Sequence, residues 1–360
     1  MMGHRYLILA DGTSYRGYGF GSDATTTGKL AINSNMLGYQ ESITNPAYYG
    51  QIIVFTQPSV GNTGINDKSY ESIQPHTKGI IVREYANVST NRNRRLSLDQ
   101  FMKQNNIPGI CGLDTREITR HIRKHGPMMA SIVDVNDKHA FDQLHATVMN
   151  HQQVAQVATP KAYQNPGTGY NILVVDFGLK SNLFEALSER NCNVTVVPWN
   201  VSAQQIFNLD PDGVILSTGP GSPNNVPNFV LQMIQQVQTK IPLFAIGLGH
   251  ELFALANGAV ARPMPSGYFG SNHPVKRIIT GEIVHVSQNQ GYQILAQSLK
   301  KTPLFETYVD VINHSVQGLH HQNYPAFSVQ FNPNGGPGPK DTTDLYDEFL
   351  ENVRSFKSKR

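Results

Sequence analysis

The chain is poor in cysteine, the residue on which disulfide frameworks, many metal centres and thiol catalysis depend. Only Cys111 and Cys192 occur among its 360 residues, which is too few for a disulfide framework or a cysteine-based zinc site. We therefore predict no metal site and a reducing environment. Any thiol chemistry would have to come from one of these two side chains.

Charge and long apolar runs are also scarce. Charged residues make up 15% of the chain and the formal net charge is +3, whereas nucleic-acid binders usually carry a concentrated basic stripe. No stretch approaches the roughly 18 consecutive apolar residues of a membrane span. The apolar run within residues 1–12 is too short for a signal peptide. We expect a cytoplasmic globular protein with neither nucleic acid nor a membrane as partner.

The chain length and one biased segment predict the domain organisation. A length of 360 residues implies two or three domains. Residues 151–170 lack apolar periodicity and are rich in Gln, Asn, Pro and Gly, a composition typical of linkers. We therefore expect a first domain over residues 1–150, a linker over 151–170 and a second domain over 171–360.

The first half of the chain predicts a mixture of strands and at least one helix. Residues 52–56 and 79–82 are short apolar runs bounded by turn residues. Asp114 followed by Glu117 resembles a capping box, and Gly126 is a suitable helix end. We expect a mixed α/β domain with a helix that begins after Asp114.

The second half alternates nearly continuous apolar strands with helical patterns. The strand candidates are 172–177, 194–197, 213–217 and 242–246. Such an alternation predicts a mainly parallel sheet that is covered on both faces. Ligands of these sheets bind beyond the carboxyl ends of the strands, so the loops after Ser217 and Ile246 are the first candidates for a site.

Both loops have features of a site, although each feature has a plainer alternative. In the first loop, Gly219-Pro220-Gly221 could aim backbone N–H groups at an anion or a carbonyl oxygen, or it could be an ordinary turn. In the second loop, residues 247–251 join a strand to a helix through small residues. That arrangement is typical of a nucleophile elbow, which supplies backbone donors to an oxyanion.

Two other motif interpretations fail, and a third segment stays open. Leu252 stands where a dinucleotide-binding motif beginning at Gly247 requires a third small residue. Asp176-Phe177-Gly178 is not accompanied by a kinase catalytic loop. The strand candidate 326–331 leads into residues 332–339, which are rich in Pro, Gly and Asn and taken alone could be a plain turn.

Together the motifs resemble the small subunit of carbamoyl-phosphate synthetase, whose second half is a triad-type (class I) glutamine amidotransferase. The resemblance extends over nearly the whole chain. The matching blocks of the first half are Gly38-Tyr39-Gln40-Glu41, Gly61-Asn62 and Leu113-Asp114-Thr115-Arg116. Those of the second half lie at residues 176–182, 211–213, 219–221, 248–250, 270–275 and 288–292. The resemblance implies an α/β fold, with a mixed α/β small-subunit domain followed by an amidotransferase-like domain with a mainly parallel, doubly covered sheet.

The resemblance also implies an activity and a partner. In that family a Cys nucleophile, a His base and a Glu that orients the His hydrolyse glutamine. The ammonia then passes to a large subunit, where ATP drives its condensation with bicarbonate. We therefore expect a heterodimer with a carbamoyl-phosphate synthase large subunit, in arginine or pyrimidine precursor synthesis. ATP and Mg are expected on that large subunit, and no cofactor is expected in this chain.

Position by position, none of the three catalytic groups of the family is present in this chain. The nucleophile position is Gly247, the base position is Asn332 and the orienter position is Asn334. The positions that contact glutamine in the family are Asn35, Gly219, Gly221, Leu248, Glu251, Asn289, Gly291 and Tyr292. Among them Asn35 replaces a serine and Glu251 a glutamine, while Thr218 and Tyr268 replace an Asn and a His of neighbouring motifs.

These departures predict a glutaminase-deficient chain. Amide hydrolysis by this route needs a thiolate that becomes a thioester, and Gly247 has no side chain. Asn332 cannot accept the proton, and Asn334 carries no charge to stabilise an imidazolium. We expect Cys192 to be a small buried hydrophobe, and His250 and His273 to be structural. Gly247→Cys alone is predicted to lower thermal stability slightly and to restore no turnover.

Three functions remain open at this stage. The first is a structural small subunit in a complex that uses free ammonia. The second is a non-catalytic regulator that binds L-glutamine, motivated by the retained backbone-donor loops. The third, a working glutaminase with substitute residues, is disfavoured because no other Cys, Ser or His stands at the matching spacings.

Overall fold

A computed structural model of the chain describes residues 3–89 and 91–359. It divides into two compact units, each with its own core. Unit 1 consists of Met1–Asn150 together with Pro265–Gly270, and unit 2 of His151–Met264 together with Ser271–Arg360. The return of residues 265–270 to unit 1 is not foreseen by the sequence. Within the residues described, no helix has the length and apolar character needed to cross a membrane.

Unit 1 is built around a closed seven-stranded barrel, in the order β1-β2-β8-β6-β4-β3-β9. Its strands are β1 (His4–Leu9), β2 (Ser14–Gly21), β3 (Thr26–Asn33), β4 (Gln51–Phe55), β6 (Gly79–Ile81), β8 (Pro108–Cys111) and β9 (Met129–Val133), with β5 (Ser59–Val60) and β7 (Glu84–Tyr85) paired separately. Its helices are α1 (Tyr39–Thr44), α2 (Leu98–Gln104), α3 (Thr115–His125) and α4 (Lys138–Ala146), with a 3-10 turn at Pro46–Tyr48. The mixed α/β prediction is confirmed, and barrel closure is new.

The predicted helix after Asp114 forms for the expected reason. The Asp114 Oδ1 atom accepts the N–H groups of Arg116 and Glu117, both at 3.0 Å, which satisfies two donors that have no partner inside the helix. Gly126 ends the helix with a φ of 89°, a backbone conformation that glycine adopts without steric cost.

Unit 2 contains a ten-stranded sheet in the order β10-β12-β11-β13-β14-β19-β18-β17-β15-β16. Its strands are β10 (Tyr163–Asn165), β11 (Asn171–Asp176), β12 (Asn193–Pro198), β13 (Gly213–Leu216), β14 (Leu243–Ile246), β15 (Ala261–Arg277), β16 (Ile283–Ile294), β17 (Leu304–Asp310), β18 (Val316–His321) and β19 (Ala326–Val329). Strands β12, β11, β13, β14 and β19 are mutually parallel, as predicted.

Two separate apolar cores cover the faces of this sheet. The helices are α5 (Gln153–Val157), α6 (Ser181–Ser188), α7 (Ala203–Asn208), α8 (Asn228–Val237), α9 (Leu248–Ala256), α10 (Ala296–Leu299) and α11 (Asp344–Lys357), with a 3-10 turn at Pro223–Asn225. Along β11, Leu173 and Val175 belong to the core under α7, α8 and α9, whereas Ile172 and Val174 belong to the core under α6 and α11. Successive side chains of a strand point to opposite faces, so residues 172–175 of β11 must all be apolar.

Residues 151–170 differ from the predicted linker. They form α5 and β10, and β10 pairs antiparallel with β12. Val154 is buried in the core of unit 2, so the segment is part of that unit and the linker prediction is wrong. Its polar composition suits an edge strand and a short surface helix, which need only one buried residue.

Candidate functional site

The turn between β14 and α9 has the backbone of a nucleophile elbow without a nucleophile. Gly247 caps α9 with φ 59° and ψ −115°, a strained region for residues other than glycine. Its N–H donates to the Val329 carbonyl at 2.9 Å, and its carbonyl accepts from the Glu251 N–H at 3.2 Å. The parallel pairing of Ile246 with Val329 therefore fixes the position of the turn at the end of β14.

A neighbouring side chain occupies the space that any side chain at residue 247 would need. A Cβ atom built on Gly247 would lie 2.6 Å from the Thr218 Oγ1 atom and 3.1 Å from the Thr218 Cβ atom. The first distance is far inside van der Waals contact. The elbow thus has neither a side chain nor room for one while Thr218 keeps this rotamer.

The backbone around the elbow is closely packed at two further glycines. A Cβ on Gly249 would meet the Leu216 carbonyl oxygen at 2.6 Å, and one on Gly219 would meet the Phe177 carbonyl oxygen at 2.3 Å. The Gly249 N–H donates to the Ser217 carbonyl at 3.1 Å. The start of α9 is therefore pressed against the carboxyl end of β13, with Leu248 beside Gly219.

The loop after β19 brings the predicted base and orienter positions to the adjacent strand end. The Asn332 N–H donates to the Ser287 carbonyl at 3.0 Å, and its side-chain amide donates to the Gly335 carbonyl. The Asn334 Nδ2 atom donates to the Asn182 carbonyl at 2.5 Å. Both amides therefore act as structural donors to backbone carbonyls, a role that a carboxylate could not fill.

A buried lysine holds the same loop. Lys180 is 4% exposed, and its Nζ atom donates to the Gly336 carbonyl at 2.5 Å. Pro337 accepts the hydroxyl of Ser287 through its carbonyl. The loop is thus fixed from both sides by side-chain donors.

Two buried titratable residues follow the elbow on α9. Burial raises the pKa of the Glu251 carboxyl to about 8, and its Oε1 atom accepts from the Gln330 Nε2 atom at 3.1 Å. Burial lowers the pKa of His250 to about 3, and its Nδ1 atom lies 2.9 Å from the Ser328 hydroxyl. His250 is therefore neutral and internal.

The remaining predicted glutamine contacts are divided between the units. Asn289, Gly291 and Tyr292 lie on β16, which contacts α9, and a Cβ on Gly291 would meet no atom within 4 Å. Gly221 lies against Gln153 of α5. Asn35 belongs to unit 1, where its N–H donates to the Asn33 Oδ1 atom at 2.9 Å.

Neither thiol has the environment of a reactive cysteine. Burial raises the pKa of Cys192 to about 11 and also raises that of Cys111, whereas reactive thiols need a lowered pKa. Cys192 is 2% exposed and packs in the core beside Leu187 and Val194, as predicted. No group of three or more His, Cys, Asp or Glu side chains that could hold a metal ion occurs among residues 3–89 and 91–359.

Three contacts of this site escape sequence reasoning. They are the Thr218 side chain against Gly247, Gln330 on Glu251, and Gln153 against Gly221. Thr218 can be read from the sequence. That it crowds residue 247 follows only from the distance between the loop after β13 and the turn after β14. Gln153 is hidden because its segment has the composition of a linker. At the predicted catalytic positions the arrangement offers no thiol, imidazole or carboxylate, because residues 247, 332 and 334 are Gly, Asn and Asn.

Comparison with known proteins shows two family models in tandem. The model for the carbamoyl-phosphate synthase small chain, CPSase domain, matches residues 7–132. The model for glutamine amidotransferase class-I matches residues 173–352. Together they span most of the chain, one in each half.

Curated relatives match over almost their full lengths. A carbamoyl phosphate synthase small chain of Streptococcus mutans is 50% identical over 99% of this chain and 98% of its own length. A carbamoyl phosphate synthase small chain of Lactococcus lactis is 48% identical over 99% of this chain and 100% of its own length. A carbamoyl phosphate synthase pyrimidine-specific small chain of Lactiplantibacillus plantarum is 49% identical over 96% of this chain and 95% of its own length.

Proposed function

The chain belongs to the family of carbamoyl-phosphate synthase small chains, and on this premise we propose that it is a glutaminase-deficient structural subunit. It docks on a carbamoyl-phosphate synthase large subunit as a heterodimer, and the complex uses free ammonia. ATP and Mg act on the large subunit. The product supplies pyrimidine or arginine precursor synthesis, and one relative carries the name pyrimidine-specific.

The crowding at the elbow carries the proposal. If the loss of the family's nucleophile at Gly247 were a single isolated substitution, Gly247→Cys alone would restore the nucleophile. The Thr218 Oγ1 atom, however, lies 2.6 Å from where a new Cβ would be. The space for the nucleophile has therefore been filled from the next loop, as expected of a chain that no longer forms a thioester.

The loop after β19 supports the same conclusion independently. The amide groups of Asn332 and Asn334 each donate to a backbone carbonyl. An ionised Glu at residue 334 would have no N–H to donate, so the Asn182 carbonyl would lose this donor, and an unsatisfied buried acceptor is costly. The substitutions are thus integrated into the fold of the loop.

The docking part of the proposal rests on the extent of the family match. The 50% identity extends over 99% of the chain and therefore includes unit 1. If the chain no longer docked on a large subunit, there would be no reason for unit 1 to keep the family sequence. Retention of unit 1 together with unit 2 favours a chain that still assembles with a large subunit.

A second function, a glutamine-binding regulator, keeps one supporting observation. Gly219 and Gly249 lie in close contact with the strand ends beside Leu248, which supports a backbone arrangement of the kind that contacts glutamine in the family. Against it, Glu251 is fully buried with its carboxyl bonded to Gln330. Absence of heat on titration with millimolar glutamine is the result we expect from calorimetry.

The test compares ammonia-dependent and glutamine-dependent carbamoyl phosphate synthesis in a complex purified through a tagged large subunit. We expect co-purification, synthesis with ammonia and none with glutamine. A glutamine-dependent rate equal to the ammonia-dependent rate would falsify the proposal, and so would failure to co-purify.

Restoration variants test the structural argument. We expect no glutaminase activity from the triple variant Gly247→Cys, Asn332→His, Asn334→Glu. Adding Thr218→Asn, which introduces the residue of the family motif, is expected to give measurably higher activity than the triple variant. Thr239→Asn, an exposed change at the end of α8, is the matched addition and should leave the triple variant inactive.

A further inference from the structure

A cavity lies in unit 2 where α5 covers the loop after β13, the loop that also carries Thr218 and Gly221. It has a volume of about 200 Å³ and is lined by His151, Gln152, Gln153, Val154, Ala155, Trp199, Pro220, Gly221, Ser222, Asn225, Val226 and Pro227. We call it the Trp199 cavity. Trp199 follows β12 directly, and Pro220–Ser222 belong to the loop after β13.

The cavity occupies a favourable place in the sheet. The chain runs from β11 to β12 on one side and then to β13 on the other, so the strand order reverses around β11. The crevice outside the carboxyl ends of strands at such a reversal is where open α/β sheets generally bind ligands. Here α5 closes the crevice, anchored by the Thr159 N–H on the Asp176 Oδ2 atom at 2.7 Å.

The lining residues favour an uncharged ligand with an apolar face. An indole ring, two prolines, two valines and an alanine make up half of the twelve lining residues, and none of the described lining residues is Asp, Glu, Lys or Arg. An ionic ligand would lose hydration there without gaining a counter-charge. A flat ring could instead stack on the indole, as nucleobases stack on aromatic side chains.

Hydrogen-bonding groups stand around these walls. Asn225 and His151 lie with Nδ2 and Nδ1 atoms 2.9 Å apart, and the Ser222 Oγ atom accepts the Asn224 N–H at 3.3 Å. Amide and hydroxyl groups can both donate and accept. They therefore suit a ring whose edge also carries both donors and acceptors.

The volume sets an upper limit on the ligand. Drug-sized ligands occupy pockets of about 300–1,000 Å³, which is more than the 200 Å³ available. One ring system fits, whereas a ring with sugar and phosphates attached would extend into solvent. We propose that the Trp199 cavity binds a single uncharged planar heterocycle with amide-type edges, of the size of a nucleobase, stacked on Trp199.

The sequence provides a direct probe of this cavity because Trp199 is the only tryptophan in the chain. We would titrate the full chain with adenine, uracil and nicotinamide while recording tryptophan fluorescence and the single indole N–H signal in NMR spectra. At least one probe should saturate, with a Kd on the order of 0.1–10 mM for a ligand of this size.

Two variants on the same helix separate the cavity from non-specific effects. Ala155 lines the cavity, and Ala155→Phe should weaken binding at least tenfold by filling it. Gln156 is exposed and does not line the cavity, so Gln156→Phe should bind like the parent chain. If Ala155→Phe does not fold, Val226→Phe fills the cavity from the opposite wall.

Two results would overturn the inference. One is the absence of saturation by all three probes up to about 10 mM, and the other is equal binding by the parent chain and a folded cavity-filling variant. Both are independent of the proposed function, because neither glutamine nor a large subunit takes part in the measurement.

Discussion

The elbow at Gly247 and the loop from Asn332 to Gly338 lie at the ends of adjacent strands, yet different interactions hold them. The elbow is a backbone feature, because Gly247 has no side chain and adopts φ 59° and ψ −115°. The loop depends on side chains, because the amides of Asn332 and Asn334 donate to backbone carbonyls.

The difference shows what maintains each feature. The elbow backbone is fixed by parallel strand pairing and by the close approach of α9 to β13, which the fold of unit 2 needs whether or not catalysis occurs. The loop is held by individual side-chain hydrogen bonds, which depend on residue type. Substitutions in the loop can therefore change its hydrogen bonds while the strand-to-helix geometry stays intact.

The largest effect is expected from disturbing the packing that holds the elbow backbone. Gly249→Val would put a Cβ 2.6 Å from the Leu216 carbonyl oxygen, and a strand backbone cannot move aside. We expect a loss of at least about 3 kcal/mol in the free energy of unfolding, measured by denaturant titration. Gly291→Val, at a strand position with no atom within 4 Å of the new Cβ, is the control and should change stability little.

The crowding between Thr218 and Gly247 should appear as an energetic coupling. Gly247→Ala is expected to cost about 1–3 kcal/mol, because it combines backbone strain with the Thr218 contact. That is more than the slight loss predicted from the sequence. Removing the hydroxyl with Thr218→Ala should recover at least about 0.5 kcal/mol in a double-mutant cycle.

Gly281→Ala separates backbone strain from the steric contact with Thr218. Gly281 has a φ of 75°, and no atom lies within 4 Å of the new Cβ. Gly281→Ala should show the strain alone and no coupling to Thr218→Ala. A cycle in which the Gly247 and Thr218 changes are strictly additive would contradict the steric argument.

Glu251 should make stability fall with rising pH. The folded chain holds its proton up to pH about 8, whereas the unfolded chain releases it near 4.5, so the folded state binds more protons in between and loses stability as the pH rises. His250 acts in the opposite direction only below pH 6.5, because its folded pKa is about 3. Above pH 6.5 the opposing effect of His250 is largely past, so the difference between the parent chain and Glu251→Gln reports the Glu251 contribution.

The slope for one proton is about 1.4 kcal/mol per pH unit. We expect Glu251→Gln to remove up to about 2 kcal/mol of the pH dependence between pH 6.5 and 8, as seen in unfolding curves at several pH values. The exposed Glu185→Gln should leave the dependence unchanged. Parallel curves for the parent chain and Glu251→Gln would show that Glu251 is not the responsible group.

The smallest effect is expected at a single donor in the loop from Asn332 to Gly338. Asn334→Asp keeps the shape of the side chain but removes the N–H that reaches the Asn182 carbonyl, so we expect a loss of about 1–2 kcal/mol by thermal unfolding. Asn208→Asp is a suitable control, because the Asn208 side chain accepts rather than donates. Equal losses in both would mean that the Asn334 bond contributes nothing.

Much of unit 2 could be predicted because its signals are local. A run such as 172–177 must be a strand buried on both faces, and the small residues after Ile246 predict the elbow before any coordinates exist. The barrel of unit 1 could not be predicted in the same way, since closure depends on pairings such as β1 with β9, which join distant parts of the chain. The linker prediction was wrong because composition does not register one buried valine on a surface helix.

The sequence by itself determined that residues 247, 332 and 334 are Gly, Asn and Asn, because residue identity needs no structure. Only the tertiary structure decided what these residues and their neighbours contact. The Thr218 hydroxyl lies in the space of a side chain at residue 247, the Asn334 amide reaches a carbonyl 152 residues away, and Glu251 is enclosed with Gln330. Each of these contacts joins segments that are distant in the chain. Strand order and packing set the distance between such segments, and residue identity alone does not reveal it.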